Sequence, residues 1–207
     1  FPGCETARQF EIVKTVYPSV QCFSNVLETV LPYGNAIHHP PAFLCNAGRV
    51  EATGGNFRHY YDGITPSVGR LIDAVDRERL KVAGALGAET MPFVELFYRM
   101  GYTTKAACDT GIAYEAFHQS EPDKWIPAPS KLEHRYFLED VPYGHIIYSE
   151  LGRIAGVPTP TINHIIYLAS VALGHDLSAD ALTLEKMGVS GISKERFLHL
   201  LEYGFDD

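Results

Sequence analysis

Apolar positions along the chain recur at helical rather than strand spacing. From Ser67 to Leu86, the residues Val68, Leu71, Ile72, Val75, Val82, Ala83 and Leu86 mark one face of a long helix, with Thr65-Pro66-Ser67 as its start signal and Gly87 as its stop. The same spacing runs through Ile147, Leu151, Ile154 and Ala155, and again through Ile162, Ile165, Ile166, Ala169 and Leu173. Pro158 and Pro160 separate these two helices and Gly174 ends the second. Each should turn its apolar stripe inward. Shorter helices are expected at Cys4 to Val16, Asn25 to His39, Met91 to Met100 and Ser193 to Tyr203. Alternating strand patterns bounded by hairpin turns are nearly absent, so the expected class is mostly α. Two breaker-rich stretches, Ala52 to Thr65 and Gln119 to Lys131, read as ordered long loops within one domain over residues 1–207, because no repeat, low-complexity tract or charge block divides the chain.

Composition narrows the setting. A chain of 207 residues that is 46% hydrophobic can bury a sizeable core. No apolar run approaches the ~18–20 residues that a bilayer-spanning helix requires, so no membrane partner is expected. With 17 Lys+Arg against 25 Asp+Glu, the net charge of −8 offers no attraction to phosphate backbones, and nucleic acid is not expected either. Cys4, Cys22, Cys45 and Cys108 form no CxxC or CxxH pair and are expected as reduced, mostly buried thiols of a cytoplasmic protein. The start, Phe1-Pro-Gly-Cys-Glu, has no initiator Met and no basic-then-apolar signal, which predicts a chain trimmed or excised from something longer.

Several recognisable chemistries are missing: no GxGxxG follows a strand, and there is no Walker loop, HExxH or GxSxG. No phosphate or cofactor cradle is expected within the chain. The glycine-rich Thr53-Gly-Gly-Asn56 reads as a turn, with no strand before it. His59, His118, His134, His145, His164, His175 and His199 are scattered without metal-ligand spacing, so no metal site is expected.

What remains is polar chemistry in two segments, Asn25 to Pro41 and His134 to Gly144. In the first, Asn35 and His39 stand four apart and would project from one helical face. The competing account is that His38 and His39 decorate a helix end before Pro40-Pro41. In the second, Arg135 offers a planar cation that can clamp a carboxylate in a fork, and Asp140 an anion that can orient an imidazole. A structural ion pair between those two is the competing account. Tyr33, Asn35, Tyr136 and Tyr143 are candidates for lining the same pocket, each equally accounted for as packing or a satisfied helix polar group. Trp125, in the second long loop, is a candidate cover for a bound substrate or a loop-packing residue.

Asn25-Val-Leu-Glu-Thr, Asn35-Ala-Ile-His-His-Pro-Pro, Asn46-Ala-Gly-Arg-Val-Glu51, Tyr60-Tyr-Asp-Gly-Ile-Thr-Pro-Ser-Val68, Arg135-Tyr-Phe-Leu-Glu-Asp-Val-Pro-Tyr-Gly144 and Leu151-Gly-Arg-Ile-Ala-Gly-Val-Pro-Thr-Pro160 together resemble the opine dehydrogenases, the octopine and nopaline dehydrogenase family, in order and over nearly the whole chain. The resemblance is to their C-terminal helical substrate domain, similar in turn to the C-terminal helical domain of 6-phosphogluconate dehydrogenase and to that of ketopantoate reductase. It implies a multi-helix substrate-binding and catalytic domain, with NAD or NADP bound mainly by an N-terminal Rossmann domain that this chain lacks and that would join it in cis or in trans. It also implies a reductive condensation of an amino acid with a 2-oxo acid such as pyruvate. By the family pattern the histidine directly before proline, His39, is the acid/base, and His38 fills a position more often apolar. Arg135 would hold a substrate carboxylate, Asp140 would hydrogen-bond the catalytic imidazole, and a homodimer is a possible assembly.

The chemistry asks for similar assignments. A polarised carbonyl or imine needs a proton donor near neutrality, which histidine supplies with little tuning. An oriented 2-oxo acid needs a carboxylate clamp, a task that suits Arg over Lys. The expected sites are therefore His39 and Asp140 as catalytic residues, with Arg135, Asn35 and Tyr33 at the substrate. Two alternatives stay open: reduction of a 2-oxo acid to a 2-hydroxy acid without amine addition, and a non-catalytic ligand-binding or oligomerisation domain. A chain with no nicotinamide site of its own should fold yet not oxidise NAD(P)H.

Overall fold

A computed structural model describes residues 2–179 and 181–205; Phe1, on which the expectation of a trimmed start rests, lies outside the described residues. In chain order the helices are α1 (Thr6–Val16), α2 (Leu27–Val30), α3 (Gly34–Cys45), α4 (Ala47–Thr53), α5 (Pro66–Ala85), α6 (Phe93–Arg99), α7 (Lys105–Thr110), α8 (Ala113–His118), α9 (Arg135–Leu138), α10 (Ile146–Ala155), α11 (Pro160–Leu173) and α12 (Lys194–Tyr203). A single π-helical turn, Val141–His145, joins α9 to α10. The chain is 59% helical with no strand among the described residues, so the mostly-α expectation holds.

The long helix forms where its pattern and caps place it. The Thr65 side chain accepts from the Val68 N–H, Pro66 occupies the first turn, and Gly87 follows at φ +70°. Ile72, Val75 and Val82 are fully buried, each contributing roughly 1.5–3 kcal/mol relative to exposure. Helix α5 also organises its neighbours through carboxylates that cap other helices. Asp73 accepts from Ala113 N at the start of α8, Asp76 from Phe93 N at the start of α6, and the buried Glu78 from Thr161 N and Ile162 N at the start of α11. Each capping carboxylate satisfies an N–H that has no partner within its own helix. Arg79, fully buried, pairs with Asp76 and donates to the Leu31 and Met91 carbonyls, which ties the α2–α3 turn to α5.

Helices α10, α11 and α12 lie where the spacing placed them, while α4, α7, α8 and α9 are too short for periodicity to reveal. The Asn25-to-His39 expectation needs correction. It splits into α2 and α3 around Pro32, and Pro40 and Pro41 lie inside α3 rather than beyond its end. Proline removes one helical donor, but helical neighbours and packing can carry the chain through; here Pro40, Pro41, Ala42 and Phe43 are all buried. The cysteine expectation is also corrected. Cys4, Cys22 and Cys45 are exposed and Cys108 is partly exposed, because the aliphatic and aromatic stripes already fill the core.

The two breaker-rich stretches are ordered by pairing with each other. Ala128 N donates to Phe57 O, His59 N donates to Ile126 O, and an antiparallel bridge joins Arg58 to Pro127. Trp125 stands 70% exposed with the Arg58 guanidinium 5.3 Å from its ring. No helix among the described residues is long and apolar enough to cross a membrane.

Candidate active site

Helix α3 supplies the imidazoles and the α9–π turn segment supplies the charges. Gly144, in the π turn, packs so closely on α3 that a Cβ there would lie 2.3 Å from the Ala36 Cβ. Glycine at this position therefore sets the depth at which Asp140 approaches His39. The π turn inserts one residue into the passage from α9 to α10, a device that re-aims side chains near sites.

His39 is held at both ring nitrogens. Nδ1 lies 2.7 Å from Asp140 Oδ2 and Nε2 lies 2.8 Å from the Tyr60 hydroxyl. The Tyr136 ring stacks on the imidazole at 3.8 Å, and its hydroxyl stands 3.2 Å from that of Tyr60. The other oxygen of Asp140 accepts from the Tyr33 hydroxyl at 2.5 Å. His38, its neighbour, engages the Gly34 carbonyl through Nδ1 at 2.8 Å and packs against Phe93 and Phe117.

Next to this network is a cavity of about 380 Å³ whose lining includes Asn35, His38, His39, Tyr60, Asp123, Arg135 and Tyr136, with Phe93, Leu96, Phe97 and Met100 as its apolar side. Arg135 is exposed. Among the described residues it makes neither an ion pair nor a side-chain hydrogen bond, so the alternative of an Arg135–Asp140 ion pair does not hold. An unpaired guanidinium on a cavity wall can accept a carboxylate in a fork. Metal-binding chemistry has no corresponding cluster: no group of three or more His, Cys, Asp or Glu is placed to hold an ion among the described residues.

The electrostatics favour a neutral imidazole. Burial lowers the His39 pKa well below the ordinary value, and His59, Arg135 and His134 push the same way. Burial raises the Asp140 carboxyl, opposed by the Tyr33 hydroxyl and by His38, Arg135 and His145. With two donors on its two oxygens, Asp140 serves as the acceptor for His39 Nδ1–H. That leaves Nε2 as the proton-accepting atom.

Of the five residues singled out in the sequence, His39, Asn35 and Arg135 line the cavity. Asp140 sits behind His39. Tyr33 is outside the cavity lining, with its hydroxyl committed to Asp140. Tyr136 lines the cavity, whereas Tyr143 is 52% exposed on another face. Sequence reasoning gave no role to Tyr60 or Asp123. The signal for Tyr60 was faint: a large polar aromatic retained within a stretch otherwise read as turns. Only the pairing of the two loops brings it to His39.

Comparison with known proteins gives a consistent picture. The model of the family described as NAD/NADP octopine/nopaline dehydrogenase, alpha-helical domain, matches residues 22–173. An opine dehydrogenase of Arthrobacter sp. (strain 1C) is 38% identical over 192 residues, covering 93% of this chain and 52% of that protein. A vitopine synthase of Allorhizobium ampelinum is 24% identical over 192 residues, covering 91% of this chain and 51% of that protein. Among solved structures, octopine dehydrogenase with NADH and L-arginine superposes with a TM-score of 0.61 at 19% identity, over 87% of this chain and 50% of that one. The chain thus spans about half the length of the curated relatives it matches.

Proposed function

The chain belongs to the octopine/nopaline dehydrogenase family as its α-helical domain, and from that premise we propose that it is the substrate and catalytic domain of an enzyme that reductively condenses an amino acid with a 2-oxo acid. The observation that carries this reading is one cavity wall holding an unpaired Arg135 beside a His39 backed by Asp140. A dinucleotide cradle needs a strand leading into a glycine turn at a helix N-terminus. No strand exists among the described residues, so the proposal places the cofactor mainly in a Rossmann domain supplied in cis or in trans. NAD(P)H, when bound there, supplies the hydride.

This chain's own residues would bind, orient and protonate. Arg135 grips the 2-oxo acid carboxylate and fixes which face of its carbonyl carbon is presented. Protonated His39 is the source of the proton that the substrate oxygen takes up as the amine adds and water leaves, and Asp140 stabilises the imidazolium and fixes the ring. A substrate carboxylate on Arg135 also offsets one of the charges that hold the His39 pKa down. Substrate binding would therefore raise the protonated fraction in the reductive direction. The apolar side of the cavity excludes water from the imine.

The test is NAD(P)H oxidation with 2-oxo acids, with and without amino acids, coupled to mass spectrometry of the product. The expected result is no turnover by the 207-residue chain alone and turnover to a secondary-amine dicarboxylate once the chain is joined to a dinucleotide-binding domain. Oxidation that proceeds equally without an amino acid, yielding a 2-hydroxy acid, would overturn this reading.

A further inference from the structure

An imidazole nitrogen has one in-plane hydrogen-bonding direction, so a histidine can hold at most two such partners. Both positions on His39 are taken, Nδ1 by Asp140 at 2.7 Å and Nε2 by Tyr60 at 2.8 Å. One face of the ring is covered by Tyr136 at 3.8 Å, and the residue as a whole is 3% exposed. No nitrogen is left for a ligand in the cavity. The hydroxyl that occupies Nε2 belongs to a residue that itself lines the cavity beside Arg135.

We propose that Tyr60 is the group that exchanges a proton with the substrate, relaying it to and from His39. This assignment rests on the condensation reading above. In the reductive direction His39 Nε2–H donates to Tyr60 Oη as Tyr60 Oη–H is delivered to the departing oxygen of the carbinolamine. The carbon–oxygen bond breaks, the nitrogen lone pair forms the C=N bond, and the oxygen leaves as water. His39 passes from imidazolium to imidazole, Asp140 stays a carboxylate, and Tyr60 is a neutral phenol before and after.

The surroundings suit a concerted exchange rather than a free tyrosinate. Burial holds the Tyr60 hydroxyl well above the ordinary phenol range, so an ionised Tyr60 is unfavourable and the two protons must move together. The ring is fixed by stacking on Phe117 at 5.4 Å and by the edge contact with His59 at 4.7 Å. Tyr136, with its hydroxyl 3.2 Å away, gives Tyr60 a partner for whichever lone pair or hydrogen the transfer leaves unused.

The experiment compares wild type and Tyr60→Phe in the complete enzyme that carries this chain, with a proton inventory in mixed H₂O and D₂O. A relay predicts that Tyr60→Phe lowers kcat roughly 100-fold or more, in the range for lost acid/base catalysis, with KM for both substrates changed less than about threefold. It also predicts a curved inventory for wild type, with two protons in flight. A linear inventory, or a Tyr60→Phe enzyme with kcat within about threefold of wild type or higher, would overturn it: the hydroxyl would then merely occupy Nε2 until substrate displaces it. Should Tyr60→Phe fail to fold, replacement of Tyr60 by a fluorotyrosine keeps the shape and shifts the phenol acidity; unchanged kcat there would count equally against the relay. Absence of any turnover by the wild-type enzyme refutes the condensation reading itself, an outcome distinct from a working enzyme indifferent to Tyr60.

Discussion

His39 and Asp140 are separated by 101 residues of sequence, yet their side chains meet at 2.7 Å in an interior where both are almost fully buried. The contact joins the middle of α3 to the first residue before the π turn, so its geometry depends on how deeply those elements pack. A carboxylate in this position fixes the imidazole tautomer and stabilises its charged form.

Asp140→Asn should therefore separate catalysis from folding. Loss of the anion disfavours imidazolium, so the pH limb that reports His39 should move to lower pH and turnover should fall by roughly 100-fold or more. The check is kcat/KM against pH beside a thermal melt. A lowered melting point with unchanged kinetics would mark Asp140 as purely structural.

For Arg135 the expectation is a binding defect without a stability defect. The side chain is exposed and makes no ion pair among the described residues, so Arg135→Ala should leave the melting point nearly unchanged. A lost charge-assisted hydrogen bond of about 1.5–3 kcal/mol should raise KM for the carboxylate substrate roughly 10- to 100-fold. Arg135→Lys should recover only part of this, because an ammonium lacks the planar fork. Steady-state kinetics in each substrate in turn should place the defect in the 2-oxo acid, and a defect confined to the amino acid would overturn that assignment.

The adjacent histidines should behave differently. His39→Ala should lower kcat by roughly two to four orders of magnitude. His38→Ala removes a ring packed against Phe93 and Phe117, so its main effect should be a loss of stability on the order of 2–4 kcal/mol, with a much smaller kinetic effect. Denaturant unfolding and turnover measured on both variants would test the assignment, and a reversed order would shift the acid/base to His38.

Acid should destabilise the fold through histidines that are buried uncharged. His59 and His145 are fully buried with neither ring nitrogen hydrogen-bonded, and burial lowers them from 6.5 to about 3 and about 4. The Ala36 carbonyl, which Pro40 leaves without its helical donor, favours protonated His145 but does not reach hydrogen-bonding geometry. Between pH 6.5 and these folded values the unfolded chain binds more protons, so stability is complete above about pH 6.5 and declines as pH falls toward 4 and 3. Each group contributes a decline on the order of a few kcal/mol. Unfolding midpoints from pH 7.5 to 4 would measure it, and His145→Leu should flatten the slope whatever it does to stability at neutral pH.

The helical class and the course of α5, α10, α11 and α12 were written in the sequence, because amphipathic spacing over ten or more residues and the stop signals at Gly87 and Gly174 are local properties. His39, Arg135 and Asn35 were legible as candidates, since residue type and motif order single them out without reference to packing. The exposure of the cysteines was not, because burial depends on which competing side chains fill the core. The passage of α3 through Pro40 and Pro41 was hidden for a related reason: local propensity says stop, and only the packing of a buried helix overrides it. Tertiary structure alone turned Tyr33 from the cavity to Asp140 and left Arg135 without an internal partner. It also brought Tyr60, from a loop with no periodic signal, to 2.8 Å from His39 Nε2. Those three outcomes depend on contacts between segments distant in sequence, whose distances are set by how α3, the paired loops and the π turn pack together rather than by any local pattern of residues.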